Sequence, residues 1–295
     1  MITAIVFPGQ GAQYVGMGQA FFRENENAQK VLQACSEGAN LDLAKLISEG
    51  PEEVLSRTEF TQPAILAVSM AIYQTLDITP QYLAGFSLGQ YSALAASGVF
   101  SLAQAAKLLR LRGRFMQEAA SEGKMAAILG LDEETVNSVL TSIEDYVVAA
   151  NLNCPGQIVI SGTEKGVAKA IELAKEKGAR RAVLLNVSGA FHSALMQDAV
   201  DKLAGEIEKE NLGKMEIPVI GNESAREISD IKSSLLKQLV SPVRWQETIE
   251  YLKDQGVQRF IEVGPGKVLS GLIKKIDKNL EIVNIEEPQD LEKLR

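Results

Sequence analysis

The sequence predicts an α/β fold: a parallel sheet covered by helices on both faces, with a smaller domain inserted into it. Three observations lead there. Short apolar runs alternate with helical periodicity along most of the chain, as in strands joined by helical crossovers. The opening run "ITAIVF" is apolar at nearly every position rather than at alternate ones, as a strand buried on both faces must be. From residue 124 the rhythm changes to β-α-β-β-α-β within a single short stretch, the split-βαβ or ferredoxin-like pattern.

In chain order, Ile2, Ala4 and Val6 with Ile5 and Phe7 read as a buried strand that breaks at Pro8-Gly9-Gln10-Gly11, a turn whose glycines let backbone N–H groups approach a ligand. Residues 60–76 carry apolar residues at helical spacing and can place Pro63 at the first helical position. "YLAG" is a short strand, followed at once by "FSLG" and an alanine-rich helix, and residues 101–120 form a further helix with Ser101 as its N-cap. In the inserted domain "KMAAILGL" reads as strand, "DEETVNSVLTSI" as helix, "YVVAANL" and "GQIVISG" as strands about an "NCPG" turn, "EKGVAKAIELAKEKG" as helix and "RAVLLNVS" as strand. The large domain resumes with a helix over 193–210, a strand at "EIPVIGN" and a helix at "SDIKSSLLKQLV". Pro242 is expected to open the next helix, through "RWQETIEYLKDQG"; "VQRFIEVG" and "LEIVNI" are strands flanking the helix that follows "GPGK". The division is therefore 1–123 and 189–295 for the large domain and 124–188 for the insert, with no Pro/Ser-rich linker at either edge and no internal repeat.

Composition narrows the function. With 295 residues, 46% hydrophobic and 23% charged, the chain is ordinary globular material. No apolar run reaches membrane-spanning length, and the start "MITAIVFPGQG" lacks the basic, long apolar character of a signal peptide, so a cytoplasmic protein that does not enter membranes is expected. A net charge of −8 disfavours wholesale nucleic-acid binding. Two basic runs, Lys107, Arg110, Arg112 and Arg114 in "KLLRLRGRF" and Lys274, Lys275 and Lys278 in "LIKKIDK", are candidate docking sites for an acidic partner, although a solvated helix face is the default reading of each. Cys35 and Cys154 lack CxxC spacing, and two cysteines with one histidine make no zinc centre without carboxylates; no metal is expected, and the cysteines read as reduced, inert thiols.

The chemistry centres on Gly85-Phe86-Ser87-Leu88-Gly89. Gly-x-Ser-x-Gly between a strand and a helix is the mark of a nucleophilic serine on a tight elbow; the alternative is an incidental helix-capping serine. A serine needs a base, and the chain holds a single histidine, His192, so a Ser–His mechanism must use it. No acid announces itself as a third member, and a backbone carbonyl could orient the imidazole instead. Leu88, next to the nucleophile, would supply one oxyanion donor through its N–H, and the Gly9-Gln10-Gly11 turn is the obvious source of a second; alone, that turn reads equally well as a plain connection. Arg112 lies in an otherwise apolar helix beside Gly113. Aimed inward it could grip a carboxylate through parallel N–H bonds, but from spacing alone a surface arginine is preferred.

Together "FPGQGAQYVGMG", "TQPA", "GFSLGQYSALAASG", "RGRFMQ", "VSGAFHSALM", "SPVRW" and "EVGPGKVLSGLI" resemble, in that order, the malonyl-CoA:acyl-carrier-protein transacylases of bacterial fatty acid synthesis and the related acyltransferases of polyketide synthases. The resemblance implies an α/β-hydrolase-like large domain with a ferredoxin-like insert, no permanently bound cofactor, malonyl-CoA as substrate and phosphopantetheinylated acyl carrier protein as partner. It implies Ser87 as nucleophile, His192 as base, the backbone N–H groups of Gln10 and Leu88 as oxyanion donors, Arg112 as the grip on the malonyl carboxylate, Gln62 as a site-lining residue and the backbone carbonyl of Gln238 as the support of the imidazole. Phe191, just before the histidine, goes with malonyl rather than methylmalonyl units. Two positions depart from the family's usual residues: Phe86 stands where it has histidine, which removes the only rival base, and Gln90 where it has glutamate. The expected function is transfer of malonyl from CoA to the carrier thiol through a malonyl-serine, by a monomeric enzyme. A trans-acting polyketide acyltransferase, a thioester or ester hydrolase and an inactive carrier-binding module are the alternatives.

Overall fold

The structure is a computed structural model and describes residues 1–119, 123–187 and 189–294. Among the described residues nine strands run in chain order as β1 (Ile2–Phe7), β2 (Tyr82–Gly85), β3 (Gly123–Leu129), β4 (Val147–Cys154), β5 (Gln157–Thr163), β6 (Arg181–Leu184), β7 (Val219–Ile220), β8 (Val257–Val263) and β9 (Glu281–Ile285). Five of them form an all-parallel sheet in the order β7-β2-β1-β8-β9. The other four form an antiparallel sheet in the order β4-β5-β3-β6.

The parallel sheet is apolar on both faces because each face meets helices. Ile5 and Phe7 of β1, Leu83 of β2 and Ile261 of β8 point into the larger core, with the Glu26–Ala39, Thr58–Tyr73 and Leu102–Ala119 helices. Ala4, Val6, Ala84 and Phe260, one residue out of step, face the Trp245–Asp254 and Val268–Ile276 helices. The two-residue period of a strand thus sorts one continuous apolar run between two cores. Glu262, fully buried on β8, accepts from Leu269 N at 3.0 Å and from Ser270 N at 2.7 Å, satisfying the free donors at the start of the Val268–Ile276 helix. Its burial raises the carboxyl pKa.

In the antiparallel unit, Ala126, Ile128 and Ile160 pack against the Glu133–Thr141 and Glu164–Glu176 helices on one face. Met125 and Val159, on the other face, join the core of the parallel unit. The two units are stitched where Val243 donates to Ala150 O at 2.8 Å and Val243 O accepts from Leu152 N at 2.9 Å. That stitch corrects one expectation: Pro242 does not open a helix, because Val243 is held extended against β4, and the helix begins at Trp245. A second correction concerns Pro63, which lies inside a helix that already starts at Thr58, so its missing N–H falls in the second turn rather than the first. Ser101 does cap its helix, accepting from Gln104 N at 3.2 Å while Gln104 Oε1 accepts from Ser101 N at 3.0 Å, a capping box. The expected strands at 181–188 and 216–222 shorten to β6 and β7, and Ser188, Ala120 and Arg295, which fall in expected elements or domain limits, lie outside the described residues. Among the described residues no helix is long and apolar enough to cross a membrane.

Phe7 pairs with Gly85, so β1 and β2 end side by side. The turns that follow them, carrying Gln10 and Ser87, leave the carboxyl edge of the sheet together, where ligands bind in open parallel sheets.

Candidate active site

Ser87 follows β2 and precedes the Gly89–Ala96 helix, with a backbone φ of 51°. Left-handed backbone is strained for any residue with a Cβ and persists only where its surroundings hold it. The turn is so tight that a Cβ on Gly85 would sit 1.9 Å from the Gly89 carbonyl, and one on Gly89 2.3 Å from Phe7 O. These two contacts explain the glycines on either side of the serine.

The serine and the lone histidine meet although 105 residues separate them: Ser87 Oγ lies 2.9 Å from His192 Nε2. On the other side of the ring, His192 Nδ1 lies 2.9 Å from the backbone carbonyl of Gln238. A carbonyl only accepts, so Nδ1 carries the hydrogen and Nε2 presents its lone pair to the serine hydroxyl. No carboxylate takes the third place. His192 is 4% exposed and also has left-handed backbone, φ 56°. Burial, and then the charge of Arg112, lower its pKa to about 4, so the imidazole is neutral at pH 7.

Arg112 overturns the spacing-based preference for a surface residue, being 1% exposed. It sits on the buried stripe Ala105, Leu108, Leu109, Arg112 and Met116 of its helix. Gly113 beside it allows close approach, since a Cβ there would lie 2.5 Å from Thr58 O. The guanidinium donates to Gln62 Oε1 at 2.8 Å, to Gln238 Oε1 at 3.0 Å and to Ser87 Oγ at 3.1 Å, and its Cζ lies 5.6 Å from the Tyr91 ring centroid. Nε has no partner. None of these neighbours is a carboxylate: the cation is buried among neutral groups, and desolvation lowers its pKa.

The backbone N–H groups of Gln10 and Leu88 donate to no other group among the described residues. Both residues line a cavity of about 130 Å3 with Gln62, Ser87, Arg112, Phe191 and His192. All eight residues expected at the site are thus together, seven of them in the cavity wall and Gln238 behind it. Phe86, Asn151 and Leu185 also line an adjoining cavity of about 210 Å3, whose far wall is Val268, Leu269 and Leu272. A larger groove of about 730 Å3, near Gly266 and Lys293, lies away from the serine and histidine. Phe86 packs edge-on against Trp245, with ring centroids 5.6 Å apart.

Three side-chain amides complete the constellation: Asn222, which sequence reasoning missed, Gln238, expected there only for its backbone carbonyl, and Gln90, noted only as a departure from the family's residue. Gln90 is fully buried; its Oε1 accepts from Asn222 N at 2.8 Å and from Gln238 Nε2 at 3.1 Å, while its Nε2 donates to Ser234 Oγ at 3.2 Å. Asn222 accepts from Ser87 N, and the Gln238 side chain spans Arg112 and Ser87 O. The signal available in sequence was faint: polar residues in otherwise apolar surroundings.

Of the two basic runs, the first is not an open patch. Lys107 pairs with Glu210 at 2.8 Å, Arg110 with Glu59 at 3.3 Å and Arg114 with Glu118 at 3.7 Å. Among the described residues Lys274 and Lys275 have no carboxylate partner; Lys275 donates to Gln157 Oε1 at 3.0 Å, at the wall of the second cavity. Cys35 and Cys154 are free and buried, and burial pushes the Cys35 thiol up to about 12. Among the described residues no group of His, Cys, Asp and Glu could hold a metal.

Comparison with known proteins gives the same answer from another direction. The family profile described as acyl transferase domain matches residues 4–286. The malonyl CoA-acyl carrier protein transacylase of Bacillus subtilis (strain 168) is 47% identical over 300 residues, covering 98% of this chain and 95% of that one. The crystal structure of an acyl carrier protein S-malonyltransferase from Vibrio cholerae superposes with a TM-score of 0.97 at 42% identity and full coverage of both chains. A malonyl-transacylase solved in complex with its type II PKS acyl-carrier protein superposes with a TM-score of 0.95 at 39% identity, over 99% of this chain and 98% of that one. A profile that runs from the first strand to the last, with likeness this high over whole chains, leaves one assignment: the chain belongs to the acyl transferase family.

Proposed function

We propose that this protein transfers malonyl from malonyl-CoA to the phosphopantetheine thiol of acyl carrier protein, for fatty acid synthesis, through a malonyl-serine. The observation that carries the substrate is Arg112: a buried guanidinium with no carboxylate partner among the described residues, donating to the hydroxyl of the serine itself. An uncompensated buried charge is costly, and a substrate bearing a free carboxylate a few ångströms from its reacting carbonyl supplies the missing anion. Relatives named for malonyl transfer, at 47% and 42% identity, support the same reading.

In the first half-reaction the malonyl carboxylate lies on Arg112, with Gln62 fixing the guanidinium. The thioester carbonyl points at the N–H groups of Gln10 and Leu88. His192 Nε2 takes the Ser87 proton as Oγ attacks, and the tetrahedral oxyanion collapses with cleavage of the C–S bond. The proton passes from His192 to the CoA sulfur. In the second half the carrier thiol gives its proton to His192, sulfur attacks the serine ester, and Oγ leaves with the proton. Each oxyanion donor contributes on the order of 3 kcal/mol. Gln238 holds the base from behind, and Phe191 closes the acyl cavity against larger groups. The 210 Å3 cavity is the approach of the pantetheine arm, and Lys275, which donates to Gln157 of its wall, receives the acidic carrier together with the neighbouring Lys274.

We read residues 124–188 as a ferredoxin-like insert in an α/β-hydrolase-like domain formed by 1–123 and 189–295. The strand order β4-β5-β3-β6, with two helices on one face, supports it. We further propose that the protein is a cytoplasmic monomer and needs no permanently bound cofactor. The test is intact-protein mass spectrometry of wild type and Ser87→Ala with malonyl-CoA and with acetyl-CoA. A malonyl adduct on wild type alone, discharged by holo acyl carrier protein, is expected. An adduct lost equally fast without carrier would make the protein a hydrolase, and no adduct at all would end the malonyl assignment.

A further inference from the structure

We infer that Asn222 is a positioning residue for the nucleophile, its side-chain amide standing in for the peptide group that should continue the sheet beneath Ser87. The last pairs between β2 and β7 are Leu83 with Val219 and Ala84 with Ile220, and Leu83 N donates to Pro218 O at 2.9 Å. Parallel ladders advance by two residues per step. Carried forward in this register, the N–H of residue 222 would donate to Gly85 O, and the carbonyl of residue 222 would accept from Ser87 N. Both bonds are present, but from the side chain: Asn222 Nδ2 donates to Gly85 O at 2.7 Å, and Asn222 Oδ1 accepts from Ser87 N at 2.8 Å. The Asn222 backbone is released for other work, its N–H donating to Gln90 Oε1 at 2.8 Å and its carbonyl accepting from Arg244 N at 2.9 Å.

The substitution has a physical purpose. At Ser87 the chain leaves the strand for φ 51°, where a rigid neighbouring strand cannot follow it. A side-chain amide, with rotatable bonds behind it, can follow and still satisfy both polar groups of the turn. It clamps the residues on either side of Phe86 and so holds the strained serine in place. Asn222 Oδ1 also accepts from Gln238 Nε2 at 3.0 Å, and the Gln238 carbonyl supports His192. One amide therefore couples the nucleophile's backbone to the residue that orients the base. Asn222 is fully buried and touches no substrate-facing space, so it acts through Ser87.

The inference rests on the Ser87–His192 reading, and its test is built to fail separately from the malonyl assignment. Two readouts are taken on wild type, Asn222→Ala and Asn222→Asp: malonyl turnover, and the rate at which a fluorophosphonate ester labels Ser87, in which the Oγ–P bond forms, fluoride leaves and the hydroxyl proton goes to His192. Asn222→Ala is expected to lose about 10- to 100-fold in both labelling rate and kcat, since small displacements of a reacting group have effects of that size, with KM for malonyl-CoA held within about threefold. Asn222→Asp keeps the acceptor for Ser87 N and is expected to recover part of the labelling rate, which also covers the case in which the alanine variant fails to fold. Labelling and kcat within twofold of wild type in a folded alanine variant overturn the inference, as does an aspartate variant that labels no faster than a folded alanine variant or, where alanine does not fold, one that folds and labels at the wild-type rate. Labelling of wild type without malonyl turnover would instead strike the substrate assignment and leave the clamp standing.

Discussion

Replacing Arg112 by methionine removes the buried charge while keeping most of the side-chain volume, and it separates two roles that the structure gives this residue. The first is toward substrate. A charge-assisted hydrogen bond contributes about 1.5–3 kcal/mol, and a guanidinium offers a carboxylate two in parallel. Breaking one buried pair of this kind costs about 3–5 kcal/mol. At about 1.4 kcal/mol per factor of ten, kcat/KM for malonyl-CoA should fall by roughly two to three and a half orders of magnitude. The second role is toward the protein, since Gln62 Oε1 and Gln238 Oε1 both accept from the same group. That loss falls equally on every substrate.

Acetyl-CoA separates the two. It lacks the carboxylate, so with it only the scaffolding loss remains, and burial beside an unpaired cation no longer opposes binding. The assay is transfer to holo acyl carrier protein, followed by mass spectrometry, with both thioesters on wild type and Arg112→Met. The malonyl-to-acetyl preference is expected to drop by at least about 100-fold. A lysine variant should recover little, because a point charge cannot reproduce two parallel bonds. If both thioesters lose activity by the same factor, Arg112 is only a strut between two glutamines, and the argument from its unpaired charge is wrong.

The remaining predictions concern the base and the docking surface. His192, held near pKa 4, is base-competent above that value, so kcat/KM should stay flat from pH 7 down to about 5 and fall only as pH approaches 4; a half-point near 6.5 would contradict the burial argument. A bound carboxylate offsets the charge of Arg112, so the acid limb of kcat should lie at higher pH than that of kcat/KM. In the unfolded chain the imidazole titrates near 6.5, so between 6.5 and 4 the unfolded state binds the extra proton and stability is lost as pH falls through that window, by up to about 3 kcal/mol. His192→Asn should flatten that part of the Tm-against-pH curve, and an unchanged slope would show that other groups cause it. Lys274→Glu with Lys275→Glu should raise KM for carrier protein several-fold and leave KM for malonyl-CoA alone; unchanged carrier kinetics would discard that pair as the docking site.

What could be read from the sequence is what is local. Gly85 of the elbow and the Ser101 cap are set by contacts within a few residues, and the strand Ile2–Phe7 shows in its own unbroken apolar run. His192 was reachable because the chain has no other histidine. Arg112 was reachable in principle, since it falls in register with Leu108, Leu109 and Met116, but helical periodicity treats a charge on the apolar stripe as a break in the pattern rather than as a member of it. Asn222 was out of reach: its role depends on a strand register set between segments 135 residues apart. The same long-range effect shortens β7, whose expected extension is replaced by a side chain, and moves the helix start from Pro242 to Trp245, because β4 holds Val243.

The departure at Gln90 becomes intelligible in charge terms. Its Oε1 accepts two N–H groups, which a glutamate could do equally well, and Ser234 could turn its hydroxyl to donate where it now accepts. Geometry therefore tolerates either residue; electrostatics does not treat them alike. Position 90 is fully buried and is linked to Arg112 through one side-chain amide, Gln238, which donates to Gln90 at 3.1 Å and accepts from Arg112 at 3.0 Å. An ionised glutamate there would neutralise part of the field that Arg112 presents to a substrate carboxylate, and a protonated one would leave that field intact. Glutamine keeps the whole of it at every pH. Gln90→Glu should accordingly fold, retain kcat, and raise KM for malonyl-CoA by a few-fold at pH 8, where the carboxyl is most ionised, with a smaller effect at pH 6. An increase that does not depend on pH, or that appears equally with acetyl-CoA, would mean that the substitution acts by disturbing the amide network rather than by competing for the charge of Arg112.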